Sequence, residues 1–402
     1  NMYDINKVRA DFPILSRTVY DRPLVYLDNA ATTFPKPPRV ARSMAKCIKE
    51  YCGNPGRSAH ALALKSAEAV FDTRSGLCAL FGTTRQENVI FSYNATHAIN
   101  KVLSGLIRPG DGVITTNMEH NSVRRPVANI CAMRGAEYSV INALAADDAL
   151  ISELEAKITP RTRIVVTVHA SNICSLSLPI AKIGEVCRRR GLIYVVDASQ
   201  SAGIYGINIP RDGISVLCAP GHKGLYGPQG TGFAVFCDDF DFSLLSPSEF
   251  GGSGFASADI TMGHTPPESY EAGTVNVPGI VGLGEGIKYV RSVGTQRILA
   301  HEKEMFSLAR DGLSAVDGVK IYLPEREGGV LLFNSDGMSG SALSASLAES
   351  GICTRPGLHC APTAHTAVGT GGDAVRISFS AFTKPEDIYS LTAAVRRITA
   401  DK

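Results

Sequence analysis

The 402-residue sequence predicts an α/β protein with a large domain on a mostly parallel mixed sheet, followed by a smaller α+β domain toward the C-terminus. Three observations predict it. Strand-like and helix-like segments alternate from about residue 60 to 240. The strand-like segments are short, β-branched and apolar throughout, as buried parallel strands are. Both kinds of segment then resume beyond an irregular stretch that ends near residue 285.

In chain order, Asn88 to Ser92, Gly112 to Thr116, Ile164 to Val168 and Leu192 to Val196 read as strands, with helical patterns such as Ala181 to Arg190 between them. Gly232 to Phe236 reads as a strand soon after a glycine-rich turn. Residues 240–285 are rich in Gly, Ser and Pro, and too long for an idle connection, so a functional loop is expected there. Val281 to Val293 and Thr295 to Leu313 then read as helices, and Val330 to Phe333 and Val375 to Phe379 as strands. No internal repeat or low-complexity tract is visible.

Lys+Arg 40 against Asp+Glu 38 gives a net charge of +2, so no strong field exists to draw in nucleic acid or an anionic membrane. A small-molecule substrate or a protein partner is favoured. No apolar run approaches the roughly 20 residues that cross a bilayer, and Asn1 to Lys7 lacks a signal peptide's apolar stretch. A cytoplasmic protein is expected. Ten cysteines are scattered singly, with no Cys-x-x-Cys pair, so no metal site is expected and most should be small buried hydrophobes.

In open α/β sheets ligands sit at the carboxyl ends of strands, so the residues that follow each strand matter most. Lys223 lies in the turn Gly221-His222-Lys223-Gly224-Leu225-Tyr226-Gly227, about two dozen residues after a strand ending in Asp197. A lysine held in such a turn can form a Schiff base, and an acid can hold the proton of a pyridinium nitrogen. The turn Ser92-Tyr93-Asn94-Ala95-Thr96 enters a helix whose N–H groups and Thr96 hydroxyl suit a phosphate, although Thr96 could equally be only a helix cap. His120 follows one strand, His169 and Asn172 another, and Gln200 comes just after Asp197.

This ordered set resembles the class V aminotransferase superfamily of fold-type I pyridoxal phosphate enzymes, and within it the group II cysteine desulfurases and selenocysteine lyases. The resemblance runs through Tyr26-Leu27-Asp28-Asn29-Ala30-Ala31-Thr32, Met118-Glu119-His120-Asn121, Val196-Asp197-Ala198-Ser199-Gln200, Gly221-His222-Lys223, Glu271-Ala272-Gly273-Thr274 and Arg355-Pro356-Gly357-Leu358-His359-Cys360-Ala361. It implies a cofactor-binding domain over residues 17–285 and a small domain over 286–402, with residues 1–16 packed on the latter.

It also implies roles. Lys223 would be the Schiff-base lysine and would move protons at the substrate Cα. Asp197 would pair with the pyridine nitrogen, His120 would stack on the ring, and Gln200 would bond the phenolic oxygen with Asn172 nearby. Thr96, Ala95 and His222 would hold the phosphate of pyridoxal 5'-phosphate, joined by Thr274 from the other subunit of a homodimer. Arg376 would clamp the substrate carboxylate, with Asn29, Ala31 and Arg355 on the substrate side; a forked guanidinium suits that task. The loop Phe250 to Ser257 would help shape the partner subunit's site.

Cys360 selects among reactions. A desulfurase needs a thiolate that takes sulfur from cysteine as a persulfide, leaving alanine, and passes it to an acceptor protein. Arg355 and His359 are read as positive neighbours that lower the thiol's pKa. Cys353 reads as a buried strand residue, and His365 as a loop residue rather than an extra acid/base, the alternative that stays open. Set against the family it resembles, the sequence has Pro220 where a serine is common, and Ala95 and His97 in place of a threonine and a glutamate. Selenocysteine lyase, an aminotransferase or epimerase on another amino acid, and a scaffold without turnover stay open as alternatives.

Overall fold

The computed structural model describes residues 3–56 and 58–400. Its main sheet has seven strands: β1 Val89–Ser92, β2 Gly112–Thr116, β3 Glu137–Ile141, β4 Thr162–Val168, β5 Ile193–Asp197, β6 Val216–Pro220 and β7 Gly232–Phe236. They are ordered β1-β7-β6-β5-β4-β2-β3, and only β7 runs against its neighbours. The expected α/β class is therefore observed, and the six strands that point one way bring their following turns to one edge.

Burial explains the composition of these strands. Every residue of β6 and β7 is buried, so both faces must be apolar. Ile164, Val166, Val195 and Val216 from the sheet pack with Ile99, Leu103 and Val123 from the helices Ala95–Leu106 and Asn121–Arg134. The second helix closes on Gly135, whose φ of 65° suits the left-handed cap position.

A second sheet has four antiparallel strands: β8 Val319–Tyr322, β9 Val330–Ser335, β10 Arg355–Pro356 and β11 Val375–Ser378, ordered β8-β9-β11-β10. Its core gathers Leu27, Phe306, Phe333, Leu343, Ile377 and Leu391. The chain folds as two compact units. One holds residues 39–169 and 178–292; the other holds the chain up to residue 38, residues 170–177, and everything from 293 onward.

This division differs from the expected boundaries of 17–285 and 286–402 in three places, each with a local cause: residues 286–292 stay with the larger unit because they lie in the continuous helix Val277–Val293. Residues 17–38 join the C-terminal unit because Val25–Tyr26 pairs in parallel with Ile352–Cys353, and Ser378 donates its N–H to Leu27 O at 2.7 Å. Residues 170–177 join it because Ser175 Oγ donates to Val330 O at 2.7 Å and accepts from Val330 N at 3.0 Å.

The irregular stretch is shorter than expected, since the helix Val277–Val293 begins four residues before Val281. Within it Glu271 is pinned by Arg74, at 2.7 Å, and by the Phe91 N–H, at 2.6 Å. Among the described residues no helix is long and apolar enough to cross a membrane.

Candidate active site

Within the seven-stranded unit, the turns after β1, β2, β5 and β6 carry Ala95 and Thr96, His120, Asp197 and Gln200, and His222 and Lys223. Sheet register brings two of these turns together. Gly232 of β7 faces Pro220 on one side and Ser92 on the other. A Cβ at Gly232 would lie 2.4 Å from the Asn94 carbonyl carbon, so glycine permits this approach of the 92–96 turn.

Asn94, not Thr96, caps the helix Ala95–Leu106, accepting from His97 N at 2.8 Å. That leaves Thr96 exposed on the first turn and Ala95 buried beneath it. His97 accepts at Nδ1 from Tyr93 N, stacks on the Tyr93 ring and pairs through Nε2 with Glu249. His120 Nδ1 accepts from Ser122 N at 3.0 Å, which orients the imidazole at the start of Asn121–Arg134.

The Lys223 turn is built on close backbone approaches. Gly221 N donates to Thr231 O at 2.9 Å, Gly227 N to Gly221 O at 2.8 Å and Tyr226 N to Lys223 O at 2.8 Å. A Cβ at Gly224 would stand 2.5 Å from Ala202 O, and one at Gly203 2.4 Å from Gly224 O. Glycine at both positions lets the turn lie against the segment that follows Asp197. Pro220 ends β6 as a buried residue with no hydroxyl to offer a phosphate.

Asp197 supplies the test of fit for a pyridine ring. It is 1 % exposed; its Oδ1 accepts from Ser199 N and Oγ, while its buried Oδ2 has no hydrogen-bond partner among the described residues. Leaving such an oxygen unpaired costs about 1–3 kcal/mol, and more when it is charged. A cationic ring N–H satisfies it, so this donor and acceptor set fits pyridoxal phosphate.

Behind Asp197 lies Glu119, visible in the sequence only as a neighbour of His120. It accepts from Thr116 Oγ1 at 2.6 Å and from Val168 N at 2.9 Å. Burial, reinforced by the nearby Asp197 charge, pushes its carboxyl up to about 8. His169 is also buried; burial brings its imidazole down to about 4, and the ring meets Tyr205 edge-on at 5.1 Å.

The remaining candidates, apart from the exposed Thr274 in the irregular stretch, belong to the other unit. Arg376 on β11 is buried: Nη2 donates to Asp28 Oδ1 at 2.8 Å, Nη1 donates to Asn172 O at 3.0 Å, and Nε is a buried donor with no partner among the described residues. Asn29 Nδ2 donates to Ser378 O at 2.9 Å, which fixes the Asp28–Ala31 turn on β11. Asn172 Nδ2 donates to His359 O at 2.7 Å, so Asn172 bonds both the guanidinium and the Cys360 loop.

Cys360 is exposed, as is Arg355, while Cys353 is partly buried and its thiol is pushed up, chiefly by burial. Two expectations about this loop are corrected. His359 is not a positive neighbour of the thiol: it is buried, and desolvation together with Arg376 brings its imidazole down to about 3. His365 is not a loop residue: it sits in the helix Pro362–Val368, 1 % exposed, with Nε2 3.0 Å from His359 Nδ1.

Sequence reasoning left Asp28, Glu119 and the His359–His365 contact without roles. Asp28 and Glu119 stand inside the motifs that carry the family resemblance, and their adjacency to Asn29 and His120 was the available signal.

Residues 25–391 match the family model for aminotransferase class V. A probable cysteine desulfurase of Methanothermobacter thermautotrophicus is 34% identical over 398 residues, 97% of this chain and 97% of its own length. One of Mycolicibacterium paratuberculosis is 32% identical over 99% of this chain, which spans only 58% of that relative. Among solved structures, the apo cysteine desulfurase of Thermococcus onnurineus NA1 superposes with a TM-score of 0.90 at 28% identity, covering 100% of both chains. A cysteine desulfurase of Escherichia coli gives 0.86 at 25% identity, covering 99% of this chain and 98% of its own. With the family match extending over nearly all of its length, the chain belongs to the class V aminotransferase family.

Proposed function

We propose that this chain is a pyridoxal phosphate-dependent cysteine desulfurase that converts L-cysteine to L-alanine and leaves the sulfur as a persulfide on Cys360. The observation that carries the reading is Asn172, which bonds the buried Arg376 guanidinium with its carbonyl and the loop of the exposed Cys360 with its amide. A carboxylate clamp and a nucleophilic thiol are thereby tied to one residue, as thiol chemistry on an amino acid requires.

When bound, the cofactor supplies an electron sink for the substrate's bonding pairs. Lys223 would hold the cofactor, and its amine would carry protons to and from the substrate Cα. Asp197 would face the ring nitrogen and favour its protonated form, His120 would meet the ring, and Gln200 would bond the phenolic oxygen. Thr96, Ala95 and His222 would hold the phosphate, with Thr274 supplied across a homodimer. Arg376 takes the substrate carboxylate through Nε, with Asn29, Ala31 and Arg355 lining the substrate. The Cys360 thiolate attacks the substrate sulfur; an S–S bond forms as the C–S bond breaks, the bonding pair stays on the carbon side, and a proton completes alanine. A cytoplasmic acceptor protein then removes the sulfur.

The test is product analysis beside spectroscopy. The protein should absorb near roughly 420 nm and lose that band in Lys223→Ala. It should release alanine and sulfide from cysteine in the presence of a reductant, and Cys360→Ala should release none. Sulfide at the full rate from Cys360→Ala overturns the persulfide step; alanine from selenocysteine alone redirects the substrate to the selenium analogue.

A further inference from the structure

Cys360 stands on unusual backbone. His359 and Cys360 have φ of 50° and 58°, two consecutive non-glycine residues in the left-handed region. Such a conformation persists only where the surroundings over-determine it. The turn itself gives one bond, Ala361 N to Leu358 O at 2.8 Å, and Asn172 gives a second at His359 O. The rest comes from a buried chain of side chains.

His359 Nε2 lies 2.9 Å from Arg355 O, and a carbonyl only accepts, so Nε2 carries the hydrogen. The neutral ring must then accept at Nδ1, where the partner is His365 Nε2 at 3.0 Å. His365 in turn accepts at Nδ1 from Thr370 Oγ1 at 2.7 Å, and Thr370 Oγ1 accepts from Gly372 N at 3.2 Å. Every donor in the series has one acceptor, and the direction is set by the Arg355 carbonyl, which can only accept. His359, His365 and Thr370 are 6, 1 and 6 % exposed, and the two imidazoles lie nearly parallel at 5.2 Å. Burial, reinforced by Arg376, disfavours a positive charge on both His359 and His365, with Asp373 pulling the other way on His365.

We propose that His365 is a positioning residue for the Cys360 thiol: with Thr370 it fixes the neutral tautomer of His359 and so holds the two left-handed residues that present the thiol to solvent. This rests on the reading of Cys360 as the sulfur acceptor. His365→Leu fills the site and removes both hydrogen bonds; His365→Gln keeps an N–H to offer His359; Thr370→Val removes only the hydroxyl.

In the cofactor-loaded protein, His365→Leu should lower kcat for sulfide release by roughly tenfold to a hundredfold, the scale of a misplaced reacting group, with KM and cofactor absorbance unchanged. Gln should restore most of the loss, and Thr370→Val should lie between. Iodoacetamide labelling, read by peptide mass with the exposed Cys52 as internal reference, should show a changed Cys360 rate in His365→Leu. That labelling needs only the thiol, so it reports on positioning even if Cys360→Ala still releases sulfide, which would sink the sulfur-acceptor reading alone.

Wild-type kcat and wild-type labelling in folded His365→Leu overturn the proposal. So does a loss in which kcat, KM and absorbance fall together and Gln restores nothing. If His365→Leu does not fold, Thr370→Val decides: unchanged kcat and labelling there refute the chain's role.

Discussion

Arg376 Nη2 lies 2.8 Å from Asp28 Oδ1, and the two residues are 348 positions apart in sequence. The guanidinium is nearly fully buried; burial disfavours its charge, and the Asp28 carboxylate opposes that. Removing one partner of such a pair leaves an uncompensated buried charge. Asp28→Ala should therefore destabilise the protein by about 3–5 kcal/mol, and Asp28→Asn, which keeps an acceptor, by less. Thermal melts of the three proteins check this; superimposable melts would refute it.

Asp197 should show opposite signs for stability and activity. Its unpartnered Oδ2 makes it costly in the cofactor-free protein, so Asp197→Asn should raise the cofactor-free melting temperature. The same change removes the anion proposed to face the ring nitrogen and should lower kcat by about 10²-fold or more. Melting curves without cofactor and turnover with it are the two measurements.

Glu119 predicts an alkaline loss of stability. Its folded value of about 8 exceeds the ordinary 4.5, so the folded protein holds a proton that the unfolded chain releases. That contribution is full below about pH 4.5 and is lost as pH rises through 8. Glu119→Gln cannot titrate, so its melting temperature should gain on the wild type as pH goes from 5 to 9. A constant difference across that range would count against a protonated Glu119.

The Lys223 turn should be intolerant of one methyl group. Gly224→Ala brings a Cβ 2.5 Å from Ala202 O and should cost about 1–3 kcal/mol while weakening the band near 420 nm. Gly206→Ala, where a Cβ meets nothing within 4 Å, is the control and should stay within about 0.5 kcal/mol.

The strands at 88–92, 112–116, 164–168 and 192–196 were legible because strands buried on both faces must be apolar along their whole length. Val216–Pro220, just before the lysine turn, was not singled out, although it is as buried as its neighbours. Its five residues Val-Leu-Cys-Ala-Pro carry little β-branched signal, and sheet pairing on both sides fixes it instead. The boundary near residue 38 was hidden because the two-residue strand Val25–Tyr26 is defined only by its distant partner Ile352–Cys353.

The sequence alone determined the fold class, the family resemblance and the inventory of reactive groups. Lys223, Asp197, Arg376 and Cys360 could be named there because their chemistry is a matter of residue type and short-range spacing. Tertiary structure alone decided which of these groups are charged and which are satisfied. It paired Arg376 with Asp28, left Asp197 Oδ2 without a partner among the described residues, pushed the Glu119 carboxyl upward, and turned His359 from an expected cation into a buried link to His365. Those properties follow from burial and from neighbours brought together across the chain; local sequence does not encode them.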